Sequence, residues 1–184
     1  MVRTALLLAL PALLVASPAP QRHKGGLSES ENAKPPSLAV KAEIKVLQEG
    51  KDPIVLSAKK PEMVMRANIF AGERFWRFLY PLAGQTEVPA GPMTFTMAAD
   101  PNDMAGGGFY ICSTKKDGDK AYFNVSTFGG GAPKDDFVTV KPSEITNTKN
   151  SDGTFTFKVA KPLAAGVYAL YFADNQYAWP FAVK

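Results

Sequence analysis

Few side chains in this sequence are suited to catalysis or to metal binding. The chain has a single histidine, His23, and a single cysteine, Cys112. His23 lies in a segment too polar to fold, so the folded part lacks the residues for a Ser-His-Asp or Cys-His arrangement and for a histidine or thiolate metal site. A carboxylate pair or a Ser-Lys dyad remains as a catalytic combination. Neither has a recognisable local spacing, so we expect no catalytic residue, no metal and no cofactor.

One segment, residues 100–106, shares features with calcium loops. Asp100, Asn102 and Asp103 place oxygen atoms close together, and a glycine follows at a bend, as in many Ca²⁺ sites. Met104 occupies a position where a further oxygen ligand is needed, and no glutamate closes the loop as in an EF-hand. We therefore interpret the segment as a turn stabilised by its own Asx side chains.

Two runs of three glycines are expected to meet at one end of the folded domain. The strands predicted at 109–114 and 121–127 are joined by an Asp-Gly turn at 117–118, so their other ends must be neighbours. Those ends carry the glycine runs 106–108 and 129–131. Such end loops often form binding sites; the alternative is that they are only connections. The candidate binding residues around them are Asp100, Asn102, Asp103, Met104, Phe128, Lys134, Asp135 and Asp136.

The elements that would position these loops are short β-strands. From about residue 38 onward, β-branched and aromatic segments alternate with Gly, Pro, Asn and Asp every 8–12 residues or so, which is typical of a β-sandwich or barrel. We expect an all-β fold, an antiparallel β-sandwich of two sheets. The predicted strands span residues 42–47, 54–58, 62–70, 74–80, 93–98, 109–114, 121–127, 137–140, 154–159, 167–173 and 177–183.

Side-chain alternation assigns two faces to the last predicted strand. Trp179, Phe181 and Val183 point to one side, and Ala178 and Pro180 point to the other. Proline has no amide hydrogen to donate, so this strand should lie at an edge or contain a bulge there. Most aromatic residues fall on such alternating positions and are assigned to the core. A carbohydrate-binding platform would instead require two or three of the following to be exposed and coplanar: Tyr80, Tyr110, Tyr122, Tyr171 and Trp179.

The most specific motif is structural. Residues 162–170 read PLAAGVYAL, with leucine, glycine and tyrosine at fixed offsets before an apolar strand. The spacing resembles the tyrosine corner of Greek-key sandwiches, in which the phenol hydroxyl bonds to the backbone a few residues upstream. Leu163 would close the end of the sandwich, Gly166 would adopt a turn conformation that disfavours a Cβ, and Tyr168 would donate the hydrogen bond.

Residues 163–183 resemble the closing pair of strands in immunoglobulin-like and fibronectin type III-like domains. They also resemble the end of bacterial exported proteins of uncharacterised function, in which a Pro-Leu-x-x-Gly-x-Tyr-Ala pattern precedes a final aromatic strand. The Cys-Trp-Cys core of antibody domains is absent, because Cys112 stands alone. The resemblance implies a Greek-key, immunoglobulin-like topology and no activity.

The N-terminal residues predict export. Residues 1–16 combine a basic start at Arg3, an apolar run and a small residue at Ala16, which together describe a secretory signal peptide. The apolar run is shorter than the roughly 20 residues of a membrane span. Residues 17–38 are polar and proline-rich and should form a disordered tether. Residues 39–184 form a single sandwich domain with no membrane span, secreted or periplasmic.

Charge and composition favour a binding role. The net charge of +4 would fall to +3 on loss of Arg3, and the basic residues are spread out, so no nucleic-acid partner is expected. The lone Cys112 should be buried. We therefore expect a monomeric, exported, non-catalytic β-sandwich that binds or scaffolds a protein, peptide or glycan. The alternative is a carboxylate-dependent enzyme acting on polysaccharide, with acids drawn from Asp100, Asp103, Asp135, Asp136, Glu73 and Glu87.

Overall fold

The structure is a computed structural model, which describes residues 41–69, 71–98, 108–127 and 131–184. Each strand predicted from the sequence is present, and two single-turn 3₁₀ helices, Asp135–Phe137 and Pro142–Glu144, accompany the strands. The strands are β1 (Ile44–Leu47), β2 (Ile54–Leu56), β3 (Glu62–Asn68), β4 (Glu73–Pro81), β5 (Thr86–Val88), β6 (Thr94–Met97), β7 (Phe109–Ser113), β8 (Lys115–Asp117), β9 (Lys120–Ser126), β10 (Val138–Val140), β11 (Ile145–Lys149), β12 (Phe155–Val159), β13 (Gly166–Phe172) and β14 (Ala178–Val183).

These strands form three sheets. Sheet I has the order β11-β12-β6-β1-β2, sheet II the order β10-β7-β13-β14-β5, and sheet III the order β3-β4-β9-β8. Neighbouring strands run antiparallel apart from β14 and β5, which are parallel. The predicted all-β fold of packed antiparallel sheets is confirmed, and a third sheet joins the two that we expected.

Sheet II contributes to two separate hydrophobic cores. One face of β13 and β14 packs against sheet I, and the opposite face packs against sheet III. Successive side chains of a strand point to opposite faces, so a strand that is apolar at nearly every position needs a cover on both. Core 1 contains Ile44, Val46, Leu56, Val88, Met93, Phe95, Met97, Phe109, Ile111, Val140, Phe155, Phe157, Val159, Leu163, Tyr168, Leu170, Phe172, Trp179, Phe181 and Val183. Core 2 contains Phe78, Tyr80, Cys112, Phe123, Val125, Phe137, Ala169, Tyr171 and Ala178.

The chain leaves sheet II for sheet III between β7 and β8. The Thr114 amide and hydroxyl both donate to the Val167 carbonyl, at 3.1 and 3.0 Å, and anchor this crossing. The predicted hairpin of β7 with β9 is wrong, because β9 pairs with β8, whereas β7 pairs with β10 and β13. The tight turn is present, but its centre is Gly118-Asp119, and Gly118 has φ of 62°, as expected for a type II′ turn.

The last strand lies inside a sheet and changes its neighbour at Pro180. We expected this strand to lie at an edge or to contain a bulge at Pro180; as a whole it lies between β13 and β5. However, Ala178 forms an isolated bridge with Lys59, and β5 pairs with β14 only from Phe181 onward. The change of partner thus falls at the one residue of β14 that has no amide hydrogen for a neighbouring strand.

Three other predictions concern the N-terminal segments, membrane spans and Cys112. The predicted signal peptide, residues 1–16, and tether, residues 17–38, lie outside the described residues and remain predictions. Within the part of the chain that is described, no helix is long and apolar enough to cross a membrane. Cys112 is fully buried, as expected, and burial raises the pKa of its thiol.

Candidate functional site

The predicted site at the glycine loops is only partly described. Three of its candidate residues, Lys134, Asp135 and Asp136, lie where the chain enters the first 3₁₀ helix, and both aspartates are exposed. Five others lie outside the described ranges, and their role remains a prediction: Asp100, Asn102, Asp103, Met104 and Phe128.

The described charged residues of this site form ion pairs with sheet III. Lys134 pairs with Glu73, and its ammonium lies 5.2 Å from the centre of the Phe75 ring. Asp136 pairs with Lys115 at 2.9 Å. These contacts join the helix to the surface of sheet III. Each partner is at least partly exposed, so the ion pairs contribute little to stability.

Three of the six acids considered for an enzyme form ion pairs with lysines. Glu73 and Asp136 are paired as described, and Glu87 pairs with Lys184. Each of these three carboxylates is thus held by a lysine rather than by a second carboxyl. Among the described residues, no group of three or more His, Cys, Asp or Glu is placed to hold a metal ion.

Gly108 and Gly131, the described glycines of the two runs, lie close together because both accept hydrogen bonds from the turn between β13 and β14. The Ala173 amide donates to the Gly108 carbonyl at 3.3 Å, and the Asp174 amide donates to the Gly131 carbonyl at 3.4 Å. Both glycines have φ of 66°, which side chains disfavour. A Cβ on Gly131 would lie 3.0 Å from the Asp174 Cα, and one on Gly108 would lie 2.5 Å from the Pro142 Cγ. Close packing therefore explains both glycines: Gly131 packs on the β13–β14 turn, and Gly108 packs on Pro142 of the second 3₁₀ helix.

The β13–β14 turn is held from inside the domain. The Tyr171 hydroxyl donates to the Gly131 carbonyl at 3.0 Å, and burial raises the pKa of Tyr171 well above its usual value. Asp174 has φ of 61°, which is uncommon outside glycine. The buried Asn175 accepts a hydrogen bond from the Tyr177 amide at 3.2 Å. The fold itself uses these groups, so a ligand role for this end depends on the residues outside the described ranges.

The hydrogen bond that the tyrosine motif predicts is present. The Tyr168 hydroxyl donates to the Ala164 carbonyl at 3.0 Å, its ring stacks on Phe181 at 5.8 Å, and Leu163 is buried in core 1. Gly166 differs from our expectation, because its φ is not in the left-handed region. Glycine is favoured for another reason: a Cβ there would lie 3.3 Å from the Tyr168 ring, which is a tight contact.

The aromatic residues considered for a carbohydrate platform lie mostly inside the domain. Tyr80, Tyr171 and Trp179 are buried. Tyr110 and Tyr122 are half-buried, and the guanidinium of Arg77 covers the Tyr122 ring at 4.0 Å. These positions agree with a structural role for this set.

A small cavity lies beside Pro180, where the neighbour of β14 changes. It has a volume of about 160 Å³. The end of β2 and the Lys59 bridge lie on one side, and the end of β4 with the loop into β5 lies on the other. The lining residues are Ser57, Lys59, Tyr80, Pro81, Ala83, Gly84, Gln85, Thr86 and Pro180.

Two residues of this lining contain buried polar atoms that the protein leaves unpaired. Gln85 Nε2 donates to the Pro81 carbonyl at 3.2 Å, but Gln85 Oε1 has no hydrogen-bond partner among the described residues. The Tyr80 hydroxyl is also buried and unpaired there, and burial raises its pKa. A buried acceptor without a partner costs about 1–3 kcal/mol. Lys59 is exposed and brings a positive charge to the lining.

Comparison with protein-family models, with curated proteins and with solved structures finds no match to this chain.

Sequence analysis did not single out the cavity beside Pro180. The one available signal was the proline itself, which indicated a position where strand pairing is interrupted. Besides Pro180, the residues that line the resulting gap come from the segment after β2, the end of β4, the loop before β5 and the first residue of β5. No local pattern assigns them to the same place, because the gap depends on which strands neighbour β14.

Proposed function

We propose that this protein is an exported, non-catalytic binding domain that holds a small polar group of a glycan or peptide in the cavity beside Pro180. Export is supported by the signal-like residues 1–16, and an immunoglobulin-like relationship by the Tyr168–Ala164 hydrogen bond. The ion pairs of Glu73, Asp136 and Glu87 with lysines support a non-catalytic role. The observation that carries the ligand site is the cavity itself, whose lining combines Gln85, with an Oε1 that has no partner among the described residues, and the charged Lys59.

The cavity sets the size and chemistry of the group it would hold. Its volume of about 160 Å³ is close to the roughly 150 Å³ of an apolar cavity that takes up a benzene ring, so one sugar ring or one side chain fits. Gln85 Oε1 requires a donor, whereas the Lys59 ammonium requires an acceptor. Adjacent sugar hydroxyls or a primary amide provide both, and Pro81 and Pro180 add apolar wall.

Nuclear magnetic resonance can test this directly. The ¹⁵N-labelled chain beginning at Ser17 is titrated separately with monosaccharides and with short peptides that contain Asn or Gln. We expect saturable shifts at the backbone amides of Lys59 and Thr86 and at the side-chain amide of Gln85. A response to only one of the two probe classes identifies the ligand as glycan or peptide.

The chain offers a matched control for this experiment. Gln48 Nε2 also donates to a proline carbonyl, that of Pro89, at 2.7 Å, and its Oε1 is also buried and unpaired, but Gln48 does not line the cavity. Gln85→Leu should weaken binding about tenfold, the effect of one lost hydrogen bond, and Gln48→Leu should leave it unchanged. Equal effects of the two substitutions, or no saturable shift with either probe, would contradict the proposed site.

Export is tested separately. We expect the mature chain in the periplasm or the medium, with Ser17 as its first residue when N-terminal sequencing is performed. Recovery of the chain in the cytosol with Met1 retained would contradict this part of the proposal and leave the ligand site untouched.

A further inference from the structure

Strand β3 is the longest strand at the edge of a sheet. It has seven residues, whereas β2, β5, β8, β10 and β11 at the other sheet edges have three to five. Within the described part of the chain, β3 pairs with β4 on one side only. The other side therefore presents a row of backbone donors and acceptors, which natural edges usually protect.

We propose that this edge pairs with β3 of a second copy of the chain, antiparallel and centred on Val64. The centre of β3 reads Glu-Met-Val-Met-Arg. In this register Val64 faces Val64 of the other copy, and Met63 faces Met65. Glu62 faces Arg66, and Arg66 faces Glu62, so both ends of the contact carry opposite charges. Opposite charges directly across a strand pair stabilise it, and like charges destabilise it.

The side chains are free to make these contacts. Arg66 is exposed, and within the described ranges it forms no ion pair. Glu62 pairs with Lys120 across β4, but more than half of its side chain is exposed, at 56%. Met63 and Met65 are half-buried, so a second copy would cover apolar surface that one copy leaves partly open.

This arrangement closes as a dimer. A two-fold axis perpendicular to the sheet joins the two copies of sheet III into one continuous sheet and keeps their buried faces on the same side. The opposite edge, β8, has three exposed residues, Lys115, Lys116 and Asp117. A short, charged edge of this kind resists further pairing, so growth stops at two copies. The monomer predicted from the sequence is then the form that predominates at low protein concentration.

The test is a charge exchange followed by sedimentation velocity between about 10 µM and 1 mM, a range suited to a weak contact. We expect a concentration-dependent dimer of the unchanged protein. Glu62→Arg and Arg66→Glu each place like charges opposite one another at both ends, and each should weaken dimerisation about tenfold. The double variant, Glu62→Arg with Arg66→Glu, restores the attraction and should dimerise like the unchanged protein.

Mixing the two single variants gives the sharpest result. One copy carries two arginines at these positions and the other carries two glutamates, so a heterodimer should form at concentrations at which each variant alone is mostly monomeric. Lys120→Ala is the matched control, because it removes the contact of Glu62 within one copy and should leave the dimer unchanged. Absence of a dimer at all concentrations, or a dimer that the single substitutions do not weaken, would overturn the proposal.

Discussion

Replacing Phe123 by alanine should destabilise the whole domain, including the core in which Phe123 takes no part. Phe123 is fully buried in core 2, and its ring lies 5.4, 6.0 and 5.3 Å from the rings of Phe78, Tyr80 and Tyr171. Tyr171 belongs to β13 of sheet II, whose opposite face contributes to core 1. Loss of packing on one face of this sheet therefore removes support from the other.

The expected effect is large. Truncation of a fully buried phenylalanine costs about 3–5 kcal/mol, and with a urea m-value of about 2 kcal/mol/M the unfolding midpoint should fall by about 2 M. Two tryptophans allow each core to be followed by fluorescence. Trp179 lies in core 1 and Trp76 packs against core 2. Thus Trp76→Phe leaves a probe of core 1, and Trp179→Phe leaves a probe of core 2.

Both probes should report the same midpoint, before and after Phe123→Ala. Phe75→Ala is the control, because Phe75 lies on the neighbouring strand β4, is partly exposed and belongs to neither core; it should cost less than about 1 kcal/mol. If Phe123→Ala shifts the Trp76 transition and leaves the Trp179 transition in place, the two cores unfold independently. That result would refute the idea that sheet II couples them.

Three further substitutions or treatments have defined outcomes. Tyr168→Phe removes the hydrogen bond to Ala164 and should lower the free energy of unfolding by about 0.5–1.5 kcal/mol in urea titrations. The buried Cys112, whose pKa is raised by burial, should react with a thiol reagent only after unfolding in guanidinium. Hydrogen bonds from Thr154 lower the pKa of Asp152 in the folded chain. The ionised Asp152 therefore stabilises the folded state at pH values above the unfolded pKa of about 3.9. This stabilisation is lost as the pH falls through the lower pKa of the folded state. Asp152→Ala should therefore destabilise at pH 7, and the difference from the parent should disappear in acid.

The strands that sequence analysis missed share one position in the fold. These are β5, β8 and β11, and each lies at the edge of its sheet. Two have three residues, and the third, β11, is exposed at every position after Ile145. An edge strand of this kind is held by pairing with its neighbour and has no apolar pattern of its own. The strands with alternating or continuous apolar residues were all predictable, because that pattern reports burial directly.

The sites were predictable to a smaller extent. The approach of Gly108 and Gly131 was expected from a hairpin that does not exist, and it is produced by hydrogen bonds from Ala173 and Asp174. Those contacts join segments distant in sequence, so no local spacing indicates them. The cavity beside Pro180 has the same origin. A proline indicates where pairing stops, but only the order of strands in sheet II determines which residues line the gap.

The order of the three layers follows from the number of apolar faces on each sheet. In sheet I, β1, β6 and β12 alternate between buried and more exposed positions, so one face is apolar. In sheet III, Phe78, Tyr80 and Phe123 enter core 2, whereas Arg77 lies on the other face. In sheet II, β13 and β14 are buried on both faces. Sheets I and III each have one apolar face, and sheet II has two. All four faces are buried only when sheet II lies between the other two sheets. The continuous apolar run of β13 is thus the local signal for a third layer, because a strand that is apolar on both faces requires a second sheet to cover it.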